Sequence, residues 1–153
     1  VGALLDHGEI DAEMVLDGLH IDAPSARILL ATRTQGRIVL VSDCVPPGGR
    51  PPGAYEWAGR SLWVDDDSVR LESGQLAGSA GTMDAAMRRA VDWLGVSVAQ
   101  AIQMASTNAR LSVGLAAQDI CVGSPADLVL LDGELNPSMT LIDGVIRWRR
   151  DEP

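Results

Sequence analysis

The chain has 153 residues, is 46% hydrophobic and 22% charged, and carries a net charge of −9 at pH 7. That composition supplies a core for one domain and lacks the basic face that displaces counterions on a nucleic acid, so a nucleic-acid partner is not expected. No apolar run reaches the roughly 20 residues of a membrane span, and no secretory leader is expected, so the chain reads as a cytoplasmic protein without a membrane partner.

Aromatic residues make up only 3% and there is no Phe. Ala, Val and Leu must fill most of the interior, which favours α/β layers. Cys44 and Cys121 lie far apart in the chain and form neither a disulfide framework nor a paired-thiolate metal site. They are expected to be buried, reduced thiols.

In chain order, "VGALLDHG" (1–8) reads as the end of a helix, so Val1 is either a processed terminus or the edge of a fragment. "EMVLDGLHI" (13–21) reads as a short strand with a polar end. "PSARILLATRT" (24–34) has helical spacing, with Asp22 as N-cap, Pro24 in the first turn and Gly36 as the stop. "RIVLVSD" (37–43) is a second strand, and strand, helix and strand together make a parallel βαβ unit.

A Pro/Gly loop follows at 46–53, then an alternating stretch at 54–74 that reads as a β-hairpin or small antiparallel excursion. Its "DDD" at 65–67 lacks the alternate-position carboxylates of a calcium loop and is expected to be a solvated turn. "QLAGSAGTM" (75–83) reads as a glycine-rich loop whose N–H groups could face an anionic ligand. It has no P-loop ending. An amphipathic helix runs from Thr82 as N-cap to Gly95 as stop, and a second from Ser97 to near Gly114. Met83, Met87 and Met104 on these helices are expected to fill the core. "ADLVLLD" (126–132) and "SMTLIDGVIRWRR" (138–150) read as strands, with Asp143-Gly144 as a hairpin turn.

Chemistry concentrates where the two parallel strands end. Neighbouring strands lie about 4.8 Å apart, so His20 and Asp43 would share the C-terminal rim where α/β folds build their sites. A carboxylate there can move a proton between water and a leaving amine, and a histidine can hydrogen-bond substrate or bind metal. Spacing alone leaves open the plainer alternative, a turn-forming Asp before a Pro-rich loop and a packing or surface His. No metal ligand set is legible within this chain.

Five segments taken together, "DGLHID" (17–22), "LVSDCVPPGG" (40–49), "LAGSAGTMDAAMRRAV" (76–91), "MASTNARLSVGL" (104–115) and "ADLVLLD" (126–132), resemble in order and spacing the N-acetylglucosamine-6-phosphate deacetylases of the amidohydrolase superfamily. The resemblance implies the C-terminal part of a (β/α)8 TIM-like barrel, strands seven and eight at 12–21 and 37–43, plus strands of a small β-sandwich domain. It divides the chain into 1–115, barrel with a hairpin insertion at about 54–74, and 116–153, small β-domain. It implies Asp43 as the catalytic acid/base, and Asp17, Gly18, Leu19, His20, Leu76, Ala77 and Gly78 as substrate-binding residues, with His20 near the sugar phosphate.

The implied reaction is metal-dependent hydrolysis of the acetamide of N-acetylglucosamine 6-phosphate to glucosamine 6-phosphate and acetate. The implied cofactor is a divalent metal of the zinc or iron class. Its ligands, one Glu and two His, are expected upstream of Val1, with none in this chain, and so are a carbonyl-polarising His and a phosphate-binding Arg. The implied partners are a small amino-sugar phosphate and, in the full-length form, a second copy in a homodimer. The chain alone is expected to be inactive. Two alternatives stand beside this reading: an amidohydrolase acting on a different amide, and a non-catalytic truncated module for structure or interaction.

Overall fold

β1 (Ala12–Met14) and β2 (Ile38–Leu40) pair in parallel, with Ala12 opposite Ile38 and Met14 opposite Leu40, and α1 (Ala23–Thr32) crosses between them. This is the βαβ unit expected from the sequence. The computed structural model describes residues 6–7, 9–32, 36–66 and 68–151. The helix end expected over 1–8 and the helix stop before Gly36 therefore fall largely outside the described residues.

Asp22 caps α1 as expected, its Oδ1 accepting the Ser25 N–H at 2.8 Å. The strand starts are clamped by Asp11, which accepts from both the backbone N–H and the guanidinium of Arg37 at 2.8 Å. Both strands are shorter than the expected 13–21 and 37–43. The Val41 N–H still donates to the Met14 carbonyl, but beyond it the Asp17 carboxylate captures nearby N–H groups. That local turn replaces the ladder.

Three helical pieces cover one side of the pair. α2 (Met83–Leu94) ends at Gly95, left-handed at φ +67°, whose N–H returns to Val91. Thr82 stands at the N-cap position in extended backbone, but its side chain makes no cap bond and hydrogen-bonds Asp84 instead. α3 (Val98–Ile102) opens with a capping box in which Ser97 and Gln100 satisfy each other's backbone N–H. The expected continuous helix is interrupted by a π turn (Gln103–Thr107) before α4 (Asn108–Ser112). The wider turn changes the helix phase, and downstream of it the Asn108 amide reaches the Ile38 carbonyl at 2.9 Å. Met14, Leu16, Leu29, Leu40, Met87 and Met104 are buried in the core between these layers, and Met83 packs against its edge.

The excursion after the Pro/Gly loop is larger than expected. β3 (Gly53–Trp57), β4 (Arg60–Val64), β5 (Ser68–Leu71) and β6 (Leu76–Ser79) form an antiparallel sheet in sequence order. The "LAGS" segment is thus a strand, not loop: β5 pairs it on one side, and Ser79 bridges Cys44 in parallel on the other. Its expected role as a donor loop is correspondingly reduced. The Ser79 N–H is taken by the Asp43 carbonyl and the Gly81 N–H by the Ser79 hydroxyl. At the acidic turn, Asp65 accepts from both the N–H and the hydroxyl of Ser68. Asp67 lies outside the described residues.

The tail folds as β7 (Leu128–Leu131), β8 (Pro137–Ile142) and β9 (Val145–Arg149), an antiparallel meander. Asp143 and Gly144 both take positive φ in its hairpin, as the sequence leads one to expect. The buried-thiol expectation fails. Cys44 and Cys121 are both exposed, because one sits on the rim after β2 and the other in an irregular loop where its sulfur meets the Ser124 hydroxyl. Among the described residues no helix is long and apolar enough to cross a membrane.

Candidate active site

The turn after β1 is organised by one carboxylate. Asp17 Oδ1 accepts the Leu19 and His20 N–H groups, and Oδ2 holds His20 Nδ1 at 2.7 Å. Its side chain is only 5% exposed. Burial works to raise the Asp17 pKa, but the His20 backbone and ring bonds, the Leu19 bond and the attraction of the imidazole outweigh it, so the carboxyl is held below its ordinary range. An ionised carboxylate can only accept, so Nδ1 carries the ring proton and Nε2 is the nitrogen left to face outward.

The turn rests on α2. Gly18, at φ +88°, packs on Trp93, where a Cβ would come within 3.3 Å of the indole. Arg89 stacks over that same indole and reaches the Leu16 carbonyl, while Arg27 holds the Trp93 carbonyl.

Across the rim, His20 Nε2 lies 4.0 Å from Asp43 Oδ2. Asp43 has φ +49°, in the left-handed region that Asp tolerates better than most side chains. The conformation marks a change of partner. Before Asp43 the chain bonds to β1; after it, Asp43 and Cys44 are held by Ser79 of β6. The Asp43 backbone is therefore anchored while its carboxylate, 55% exposed, projects into a cleft.

That cleft has a volume of about 380 Å³, and His20, Asp43, Leu76, Ala77 and Gly78 are among the residues that line it. These five sequence-predicted residues are thus brought together. Asp17 stands behind His20, Gly18 faces Trp93 and Leu19 is exposed, and none of these three lines the cleft. Trp57, Arg60 and Gln75 of the hairpin sheet line it as well, and sequence reasoning did not single them out. The available signal was a Trp and an Arg flanking the tight Ala58-Gly59 turn. A roomier groove of about 700 Å³ between the π turn and residues 118–129 shares no lining residue with this cleft.

Among the described residues no group of three His, Cys, Asp or Glu side chains is placed to hold a metal ion. His20 Nδ1 is already committed to Asp17, and Asp43 offers a single carboxylate. The residues present do not by themselves fit a resident metal.

Comparison with known proteins identifies the family. The amidohydrolase family model matches residues 21–147. A protein of Escherichia coli K12, provisionally named N-acetylgalactosamine-6-phosphate deacetylase, is 35% identical over 94% of this chain and 87% of its own length. The chain belongs to the amidohydrolase family, among the N-acetylglucosamine-6-phosphate deacetylases and their relatives.

The N-acetylgalactosamine-6-phosphate deacetylase of Escherichia coli O157:H7 is also 35% identical, but this chain covers only 38% of it. Among amidohydrolases of known structure, the N-acetylglucosamine-6-phosphate deacetylase of Thermotoga maritima superposes with a TM-score of 0.85 at 30% identity, over 97% of this chain and 41% of that one. A mutant of the Mycobacterium smegmatis enzyme, in complex with N-acetyl-D-glucosamine-6-phosphate, gives a TM-score of 0.85 at 27% identity, over 94% of this chain and 39% of that one.

Proposed function

We propose that this amidohydrolase chain supplies the proton-transfer rim of a site that removes the acetyl group from an N-acetylhexosamine 6-phosphate. The observation carrying the proposal is the 4.0 Å approach of His20 and Asp43, in the segments that follow two adjacent parallel strands, at a shared cleft. Residues 12–21 and 37–43 then take the place of barrel strands seven and eight, and 116–153 that of the small β-domain. The substrate is N-acetylglucosamine 6-phosphate in most of the named relatives, and N-acetylgalactosamine 6-phosphate in the two that are 35% identical.

Asp43 accepts a proton from the water that adds to the acetyl carbonyl. It returns that proton to the amide nitrogen as the C–N bond breaks, releasing acetate and the amino sugar. Asp17 fixes the ring of His20, so that Nε2 meets a sugar or phosphate oxygen at the cleft mouth. The edge at Leu76–Gly78 shapes the adjoining wall. A divalent metal, expected from the family, would polarise the carbonyl and activate the water. No set of ligands for it stands among the described residues. On this reading the 153-residue chain alone lacks deacetylase activity, and the complete cytoplasmic enzyme is a homodimer.

The test is a chimera in which this chain replaces the matching C-terminal region of the O157:H7 relative. The expected result is acetate release from one or both 6-phosphates. Asp43→Asn should lower kcat by about 10²–10⁴, the range of general acid–base catalysis. A folded, metal-loaded chimera inert on both sugars, or an undiminished Asp43→Asn variant, overturns the reading.

A further inference from the structure

The inward face of the hairpin sheet changes character along its length. Cross-strand partners stand on the same side of a sheet, and every second residue along a strand returns to that side. The register therefore places Val64 and Val69 together, then Leu62 and Leu71, then Trp57 and Arg60. Val64, Val69 and Leu62 are buried in a small apolar core. At the tip, where the same face leaves that core and overhangs His20 and Asp43, the pair becomes an exposed indole and a guanidinium.

Arg60 forms no ion pair with any described carboxylate and no side-chain hydrogen bond among the described residues. It does not stack on Trp57, unlike Arg50 on Tyr55 and Arg89 on Trp93. An Arg lining a cleft with no internal partner is available to a ligand. Its planar fork of donors matches a phosphate in two-point fashion. An exposed indole beside it offers a flat face to the C–H side of a hexose ring. The cleft volume of about 380 Å³ lies within the roughly 300–1,000 Å³ typical of small-molecule sites.

We infer that the β3–β4 tip is a sugar-phosphate clamp of this site, with Arg60 gripping the 6-phosphate and Trp57 stacking on the hexose, in the cleft that His20 and Asp43 also line. The inference rests on the proposed function for its choice of ligand. It adds two binding residues, neither of which takes part in proton transfer.

Two measurements separate the two ideas. In the 153-residue chain, intrinsic fluorescence is followed while N-acetylgalactosamine 6-phosphate, N-acetylglucosamine 6-phosphate, the unphosphorylated sugars and inorganic phosphate are titrated in. Arg60→Gln should weaken binding of the phosphorylated sugars by at least about tenfold and leave the unphosphorylated sugars unchanged, because only a charge-assisted contact is lost. Arg60→Lys should recover part of the loss, because the charge returns without the fork. Trp57→Ala should weaken both classes of sugar but not inorganic phosphate.

In the chimera, Arg60→Gln should raise KM with kcat nearly unchanged, the mark of uniform binding. Sugar-phosphate affinity and KM that ignore both Arg60→Gln and Trp57→Ala, in a chimera that deacetylates, overturn the clamp and leave the proposed reaction standing. Arg60-dependent binding of phosphorylated sugars by the chain, with an inert chimera, supports the clamp and removes the reaction.

Discussion

Gly78 is the point where the hairpin sheet touches the backbone that carries Asp43, and replacing it by Ala tests that contact. Its φ is +138°, a glycine region where another side chain costs about 1–3 kcal/mol. A Cβ built there lies 2.6 Å from Val45 Cγ1 and 3.0 Å from the Asp43 carbonyl oxygen. The first distance is roughly 1 Å inside a normal carbon–carbon contact, and relieving such crowding costs about 1–3 kcal/mol more. Gly74→Ala is the control, because Gly74 has φ +84° but nothing within 4 Å of its Cβ position. It should lose only the backbone part, about 1–2 kcal/mol.

Urea unfolding followed by tryptophan fluorescence reads the difference. For a loss of about 3 kcal/mol and an m-value near 2 kcal/mol/M, the Gly78→Ala midpoint falls by about 1.5 M. Amide exchange should also report loss of protection at Ser79, whose N–H bonds to the Asp43 carbonyl. Equal losses for the two variants, with Ser79 still protected, would refute the claim that β6 holds Asp43 in place.

Other consequences follow from the same contacts. Asp17→Asn removes the acceptor that fixes His20 Nδ1, so ¹⁵N shifts of the His20 ring should reveal a changed tautomer mixture; an unchanged spectrum would mean that the ring is set elsewhere. Because the Asp17 pKa is lowered in the fold, its contribution to stability is complete above the unfolded value of 3.8 and lost as pH falls through the lower folded value, so Asp17→Asn should flatten that part of the acid-unfolding curve. Asp132 is held at about 2, first by the Arg150 hydrogen bond and then by the Asn136 N–H. Arg150→Met should therefore return its titration towards 3.8 and weaken the pH dependence of the urea midpoint between pH 4 and 2, and an unaltered slope would count against the pair. Native protein should react with two equivalents of a thiol reagent without denaturant, since both cysteines are exposed, and slow or absent labelling would restore the buried-thiol reading.

What the sequence revealed was local. Asp22 before Pro24, Ser97 at a helix start and the Asp143-Gly144 pair are signals whose physics is complete within a few residues, and each performs the expected job. The βαβ unit was legible because hydrophobic runs and a helix of that length admit one simple arrangement. "LAGS" was not, since small residues become a strand only when distant backbone supplies both ladders, here β5 and Cys44. The π turn left no mark in the apolar spacing of 97–114. His20 and Asp43 were visible because they close the apolar runs that carry the two strands, whereas Trp57 and Arg60 join them only after the hairpin sheet has folded. Cys44 was misjudged because burial habit speaks of averages, while its position on a site rim overrides them.

The parallel bridge between Cys44 and Ser79 closes everything from 45 to 78 into a loop pinned at its neck. Changes in length or chemistry at the far end of that loop leave the neck, and with it the acid at its base, where they are. If the proposed clamp and acid hold, the tip can be exchanged while the acid keeps its place, which makes the hairpin a cassette for altering substrate choice by grafting.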